Sequence, residues 1–232
     1  IAFAVTALGV ALALTWPEPV LLVDANRMPD QSVLAGYLQG TDPAGRGLGG
    51  LLQAHRERRP LVDALDALTV PLAEGGRDFL PGFSHPGMVD LFAPVWPEFG
   101  QALEAAGRTV LVDAGRVGPD GLPAGLVTVC SGVLVVTGSR LVDLAALRLS
   151  LPQVVAAAGE ERVVPALQDR REVGDDLVEL LAVGTRGQRG LLGPAQLGGR
   201  DELHRPGDLF DVLGGTDPPS NLTLAGHVRS PR

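Results

Sequence analysis

The chain contains no lysine: all 19 residues in its Lys and Arg count are arginine. That absence excludes chemistry needing an amine side chain, such as a Schiff-base lysine, a Ser-Lys dyad or the phosphate-gripping lysine of a working phosphate loop. Arginine does not substitute freely, because its guanidinium is a planar, permanently charged fork and not a compact, titratable point charge. Cysteine is almost absent too. The single one, Cys130, excludes an internal disulfide and a cysteine-based zinc site, and fits a reduced, cytoplasmic setting. It lies in the apolar run Leu126–Val136, where a buried small hydrophobe is expected. The four histidines, His55, His85, His204 and His227, are too scattered for a metal site, and His85 reads as a turn residue. Positive charge is in the minority: 27 Asp and Glu give a net charge of −8, which argues against a nucleic-acid-binding surface over the whole molecule. The densest basic run, His55–Arg59, reads as a solvated helix end. No Gly-x-Ser-x-Gly elbow occurs, so Ser131 lacks the context of a nucleophile.

What is present is a chain of 232 residues, 45% hydrophobic, enough for one large domain or two small ones with a substantial core. The apolar opening Ile1–Trp16 is shorter than the roughly 20 residues of a membrane span and has no basic segment before it. We expect a buried helix over Thr6–Trp16, with the sequence beginning inside it, and no membrane contact. Further helices are expected over Ser32–Leu38, Leu51–Arg58, Leu61–Leu68, Met88–Ala106 and Leu141–Leu149, with a glycine-rich loop over Thr41–Gly50. Strands are expected over Pro19–Asp24, Asp78–Gly82, Arg108–Asp113, Gly132–Thr137 and Leu177–Gly184. Strands apolar on both faces and separated by helices predict an α/β fold with a parallel, doubly wound sheet covered on both sides. The pattern fades after Gly184, so residues 1–184 are read as one α/β domain and 185–232 as a loop-rich or poorly ordered tail.

Two strand-end acids carry the most chemistry. Asp24 ends Val20-Leu21-Leu22-Val23, and Asp113 ends Val110-Leu111-Val112. In a parallel sheet, ligands sit beyond the strand C-termini, so Asp24, Asp113 and the Thr137–Ser139 segment are placed to line one crevice. Carboxylates there can hold Mg²⁺ through its waters or orient an attacking water. The competing reading is that each acid caps the turn that follows it.

In order and pattern, Ile1 to about Leu149 resembles the MinD/ParA class of P-loop ATPases. The stretch Thr6-Ala7-Leu8-Gly9-Val10-Ala11-Leu12-Ala13 resembles the Ala/Leu-rich helix that follows the family's phosphate loop. Val20-Leu21-Leu22-Val23-Asp24-Ala25-Asn26 resembles its second strand, with Asp24 at the first acid and Asn26 where a second acid belongs. Phe79-Leu80-Pro81-Gly82 resembles the strand after switch I. Val110-Leu111-Val112-Asp113-Ala114-Gly115-Arg116-Val117-Gly118 resembles the Walker B strand and switch II, and Val133–Thr137 the next strand. The resemblance implies a three-layer, mostly parallel sheet of the P-loop type. It implies ATP and Mg²⁺ as ligands, Asp24, Asp113 and Gly118 as nucleotide-site residues, and Asp113 as the Mg²⁺ ligand. It also implies work as a dimer or with protein partners in positioning, chromosome partitioning, septum placement or pilus and secretion assembly.

The departures shape the expectation of function. Ile1–Val5 holds no glycine and no lysine, so nothing there supplies the nest of N–H groups that cradles phosphate. Thr6 is then either the remnant of such a motif or an ordinary helical threonine. Asn26 removes a carboxylate, and Arg116 intrudes into the switch II match. A regulatory protein with a degenerate nucleotide site follows. The alternatives are an active ATPase whose phosphate loop lies upstream of Ile1, an unrelated Rossmann-like module or enzyme, and a protein anchored by Ile1–Trp16.

Overall fold

A computed structural model describes residues 3–118, 121–168 and 178–184. The Ala/Leu-rich opening forms α1 (Phe3–Thr15), and Pro17 stands just past its end. β1 (Val20–Asp24) buries Val20, Leu21, Leu22 and Val23 on both faces of the sheet. A short π-helical turn (Val33–Tyr37) leads to α2 (Leu48–Arg56), α3 (Leu61–Leu65) and the hairpin β2 (Val70–Ala73) and β3 (Arg77–Leu80). α4 (Gly87–Phe92) and α5 (Trp96–Ala105) precede β4 (Thr109–Arg116). After α6 (Ala124–Val127) come β5 (Gly132–Gly138), α7 (Leu141–Ala158), β6 (Val163–Gln168) and β7 (Val178–Gly184).

The seven strands form one sheet in the order β2-β3-β1-β4-β7-β5-β6. Pairing of β1 with β3 and with β4, and of β5 with β6, is parallel; β2 pairs antiparallel with β3, and β7 with both its neighbours. The sheet is therefore mixed, with three parallel pairings and three antiparallel ones, where a mostly parallel sheet is expected. The connections explain both exceptions. Only Glu74-Gly75-Gly76 joins β2 to β3, with both glycines at positive φ (+80° and +73°), a hairpin-length link. Residues 169–177, between β6 and β7, are fewer than the dozen or more that a parallel crossover needs.

Side chains alternate between two apolar layers. On one face Leu21, Val23, Val110, Val112, Val133 and Val135 meet α2, α3, α5 and α7. On the other, Val20, Leu22, Leu111, Leu134 and Val136 meet α1 and the turn around Val33 and Leu34. This is an α/β fold with helices against both faces of a mixed sheet.

Several other expectations need correction. Gly49 and Gly50 belong to α2, so the glycine-rich loop ends at Gly47. β2, β6 and α6 have no counterpart among the expected elements, and α7 runs nine residues past the expected Leu149 despite Pro152. Pro71 and Pro165 obscure β2 and β6, and both are tolerated because these are the edge strands. The basic run at His55–Arg59 is, as expected, the end of α2, with Arg59 paired to Glu57 and His55 Nδ1 2.7 Å from Glu98. Cys130 is buried. By length and composition alone α7 could cross a membrane; in this fold its Leu147, Leu151 and Val154 pack in the core. The tail, 185–232, with His204 and His227, lies outside the described residues.

Candidate functional site

The site lies where the sheet changes direction. From β1 the chain continues to β2 and β3 on one side, and from β4 to β5 and β6 on the other. Such a switch point opens a crevice at the strand C-termini. Asp24 ends β1 there, and Asp113 is its direct partner across the parallel β1–β4 pair, with Ala25 N–H donating to Asp113 O at 2.8 Å; β4 runs on to Arg116, so Asp113 is not the strand end expected of it. Their strands place them on the α1 face, next in alternation after Leu22 and Leu111.

α1 supplies the third group. The Thr6 hydroxyl donates to Asp113 Oδ2 at 2.5 Å, while Gly115 N–H donates to Oδ1 at 2.8 Å. Thr6 is thus more than an ordinary helical threonine, since it joins the helix to the Asp113 carboxylate. Asp113 and Asn26 are each only 3% exposed. Asn26 N–H donates to Asp24 Oδ1 at 3.1 Å, and Asn26 Oδ1 accepts from Met28 N–H at 2.9 Å. These bonds fix the turn after β1. The capping reading of both acids is therefore met in part, alongside their pairing.

Two glycines make room for this arrangement. A Cβ at Gly82, just past β3, would lie 2.6 Å from the Asp24 carboxylate. Gly115, at φ +67°, has Asn26 Oδ1 2.2 Å from the position a Cβ would take. Neither position accepts a side chain without moving an acid or its neighbour.

Burial, and next the adjacent Asp113 carboxylate, push Asp24 up from 3.8 to about 7. Asp30 adds to the rise and the Asn26 N–H opposes it. The site thus concentrates negative charge at Asp24 and Asp113.

Of the residues expected at the site, Asp24 and Asp113 are brought together. Gly118 is in the loop beyond β4, where the side chain nearest its open face is Arg27, with Nη2 at 3.7 Å. Arg27 is itself held there by donating to Gly121 O. Thr137 is buried at the end of β5, and its hydroxyl donates to Asp143 O at 3.3 Å. Beyond it, Arg140 grips Asp143 with two hydrogen bonds of 2.9 and 2.8 Å.

No family model, curated protein or solved structure matches the chain.

Two carboxylates and a hydroxyl suit a hard divalent cation that keeps several of its waters. Among the described residues, no group of three or more His, Cys, Asp and Glu side chains forms. The donor set is therefore the pair Asp24 and Asp113 with Thr6. That set could hold Mg²⁺, whose charge would offset the burial and like-charge repulsion that raise Asp24. For a triphosphate the fit is incomplete, because the sequence has no lysine to grip it. No phosphoryl-transfer step is derived.

Proposed function

We propose that this chain is a regulatory or positioning protein of the MinD/ParA type. Its sheet derives from the three-layer, doubly wound P-loop class, and its nucleotide site is degenerate. The observation that carries the reading is the in-register pair Asp24 and Asp113 at the switch point, with Thr6 of α1 bonded to Asp113. Support comes also from the strand order around β1 and β4 and from helices on both sheet faces. In this reading Asp113, with Asp24 and Thr6, holds Mg²⁺, and a nucleotide serves as a conformational ligand and not as a fuel. Output passes through protein contacts, with a second copy or a partner. The exposed Leu141 and Leu149 on α7 offer apolar surface for such contacts.

A cation that binds the folded state alone stabilises it in proportion to the logarithm of its concentration. Adding Mg²⁺ to metal-free protein is expected to raise the melting temperature of the native chain by several degrees. The Asp113→Asn variant is expected to respond weakly or not at all. Equal Mg²⁺ responses in the two proteins would remove Asp113 as the ligand and with it the basis of the reading.

A further inference from the structure

The arginine that interrupts the switch II match has an unusual environment. Among the described residues, Arg27, Arg77, Arg108, Arg116 and Arg162 are half-buried arginines. Four of them are anchored: Arg27 on Gly121 O, Arg77 on Trp16 O, Arg108 on Asp78 and Asp66, and Arg162 on Cys130 O. Among the described residues the Arg116 side chain has no hydrogen bond or ion pair, and its Nε, like those of Arg77 and Arg108, is buried without a partner. A buried Nε without a partner is costly, and Arg116 alone of the five has no other side-chain bond to offset it.

The sheet register bears on its placement. Asp113 and Arg116 are three residues apart, and in an unbroken strand they would point to opposite faces. The β4–β7 register instead slips between Asp113 and Gly115: Asp113 opposes Leu181, Gly115 opposes Leu180 and Arg116 opposes Glu179. Three steps along β4 thus match two along β7, which returns Arg116 to the face that carries Asp113. The left-handed φ of Gly115, +67°, lies within this bulge.

We propose that the bulge at Ala114-Gly115 turns Arg116 toward the strand-end site, where its guanidinium binds a phosphate group of an anionic ligand. This rests on the reading of Asp24 and Asp113 as a nucleotide-type site and names the cation that stands in for the missing lysine. The planar fork suits two phosphate oxygens at once. The carboxylates, through a divalent ion, and Arg116 then hold the ligand from two sides.

The test is calorimetric titration of the full chain with Mg²⁺-pyrophosphate, Mg²⁺-ADP and inorganic phosphate. Arg116→Ala is expected to weaken Mg²⁺-pyrophosphate binding by about tenfold to a hundredfold, the effect of losing a charged hydrogen-bonding partner. Arg116→Lys should recover part of the loss, and unchanged circular dichroism and melting would show that both variants fold. Tighter binding of ADP than of pyrophosphate by the native chain would identify a nucleotide as the ligand; equal binding would identify free phosphate or pyrophosphate. Affinity within twofold of native in Arg116→Ala, or no binding of any probe by the native chain, overturns the proposal. ATP turnover that depends on Asp113 would instead sink the degenerate-site reading while leaving the role of Arg116 standing.

Discussion

Asp24→Asn is expected to stabilise the metal-free protein at pH 8 by about 2 kcal/mol and to leave it nearly unchanged at about pH 4. The asparagine keeps the oxygen that accepts from Asn26 N–H, and it fits beneath Gly82, but it removes a charge facing Asp113. The sign follows from the direction of the shift. Between the ordinary 3.8 and about 7, the folded protein retains a proton on Asp24 that the unfolded chain releases. Native stability therefore falls as pH rises through that window and levels off above it. A tenfold displacement of a proton equilibrium is worth about 1.4 kcal/mol, and the partial exposure of Asp24 screens the full displacement to the smaller figure given. Urea denaturation of both proteins at several pH values measures the gap. A variant that is less stable than native at pH 8 would contradict the account of the pair. Mg²⁺ should narrow the gap, because the cation compensates the native carboxylate and has less to bind in the variant.

Phe92→Ala is expected to cost about 3–5 kcal/mol, the range for emptying a fully buried aromatic site. Phe92 is wholly buried, with ring centroids 4.8 Å from Trp96, 5.4 Å from Phe83 and 5.8 Å from Phe99. These near-perpendicular contacts add to the burial of apolar area. The cluster also serves the site. Phe83 follows Gly82, the residue that lies against the Asp24 carboxylate, so this packing holds the segment after β3 in place. Phe92→Leu keeps most of the volume and is expected to cost less than about 1.5 kcal/mol beyond the lost ring contacts. Denaturant midpoints check both, and a loss below about 1 kcal/mol for the alanine variant would show that the cluster collapses around the gap.

Much of this arrangement is legible in the sequence because it rests on local pattern. Pro19–Asp24 and Arg108–Asp113 read as buried strands ending in acids, since runs of branched residues with no polar face suit a central strand covered on both sides; the second runs on to Arg116. Their ends become site residues by the general geometry of such sheets. What the pattern hides is non-local or exceptional. The Thr6 bond to Asp113 spans 107 positions, and the sequence marks Thr6 only as a motif remnant or an ordinary helical threonine, not as a partner of Asp113. The edge strands β2 and β6 contain prolines, which count against strands in a local reading. The antiparallel insertion of β7 between β4 and β5 depends on chain connectivity and not on composition. The bulge near Gly115 appears in sequence only as an arginine out of place, and its re-aiming of Arg116 follows from the register alone. The aromatic residues Phe92, Trp96 and Phe99 show a helical stripe in sequence that suits either core or interface; burial assigns them to the core.

The Asp24–Asp113 site is proposed to bind its ligand without turning over. Phosphate release from Mg²⁺-ATP by the full chain tests it most directly, measured beside Asp113→Asn. Release by the native protein is expected not to exceed that of the variant. Release by the native protein that disappears in Asp113→Asn would contradict it and show a working ATPase.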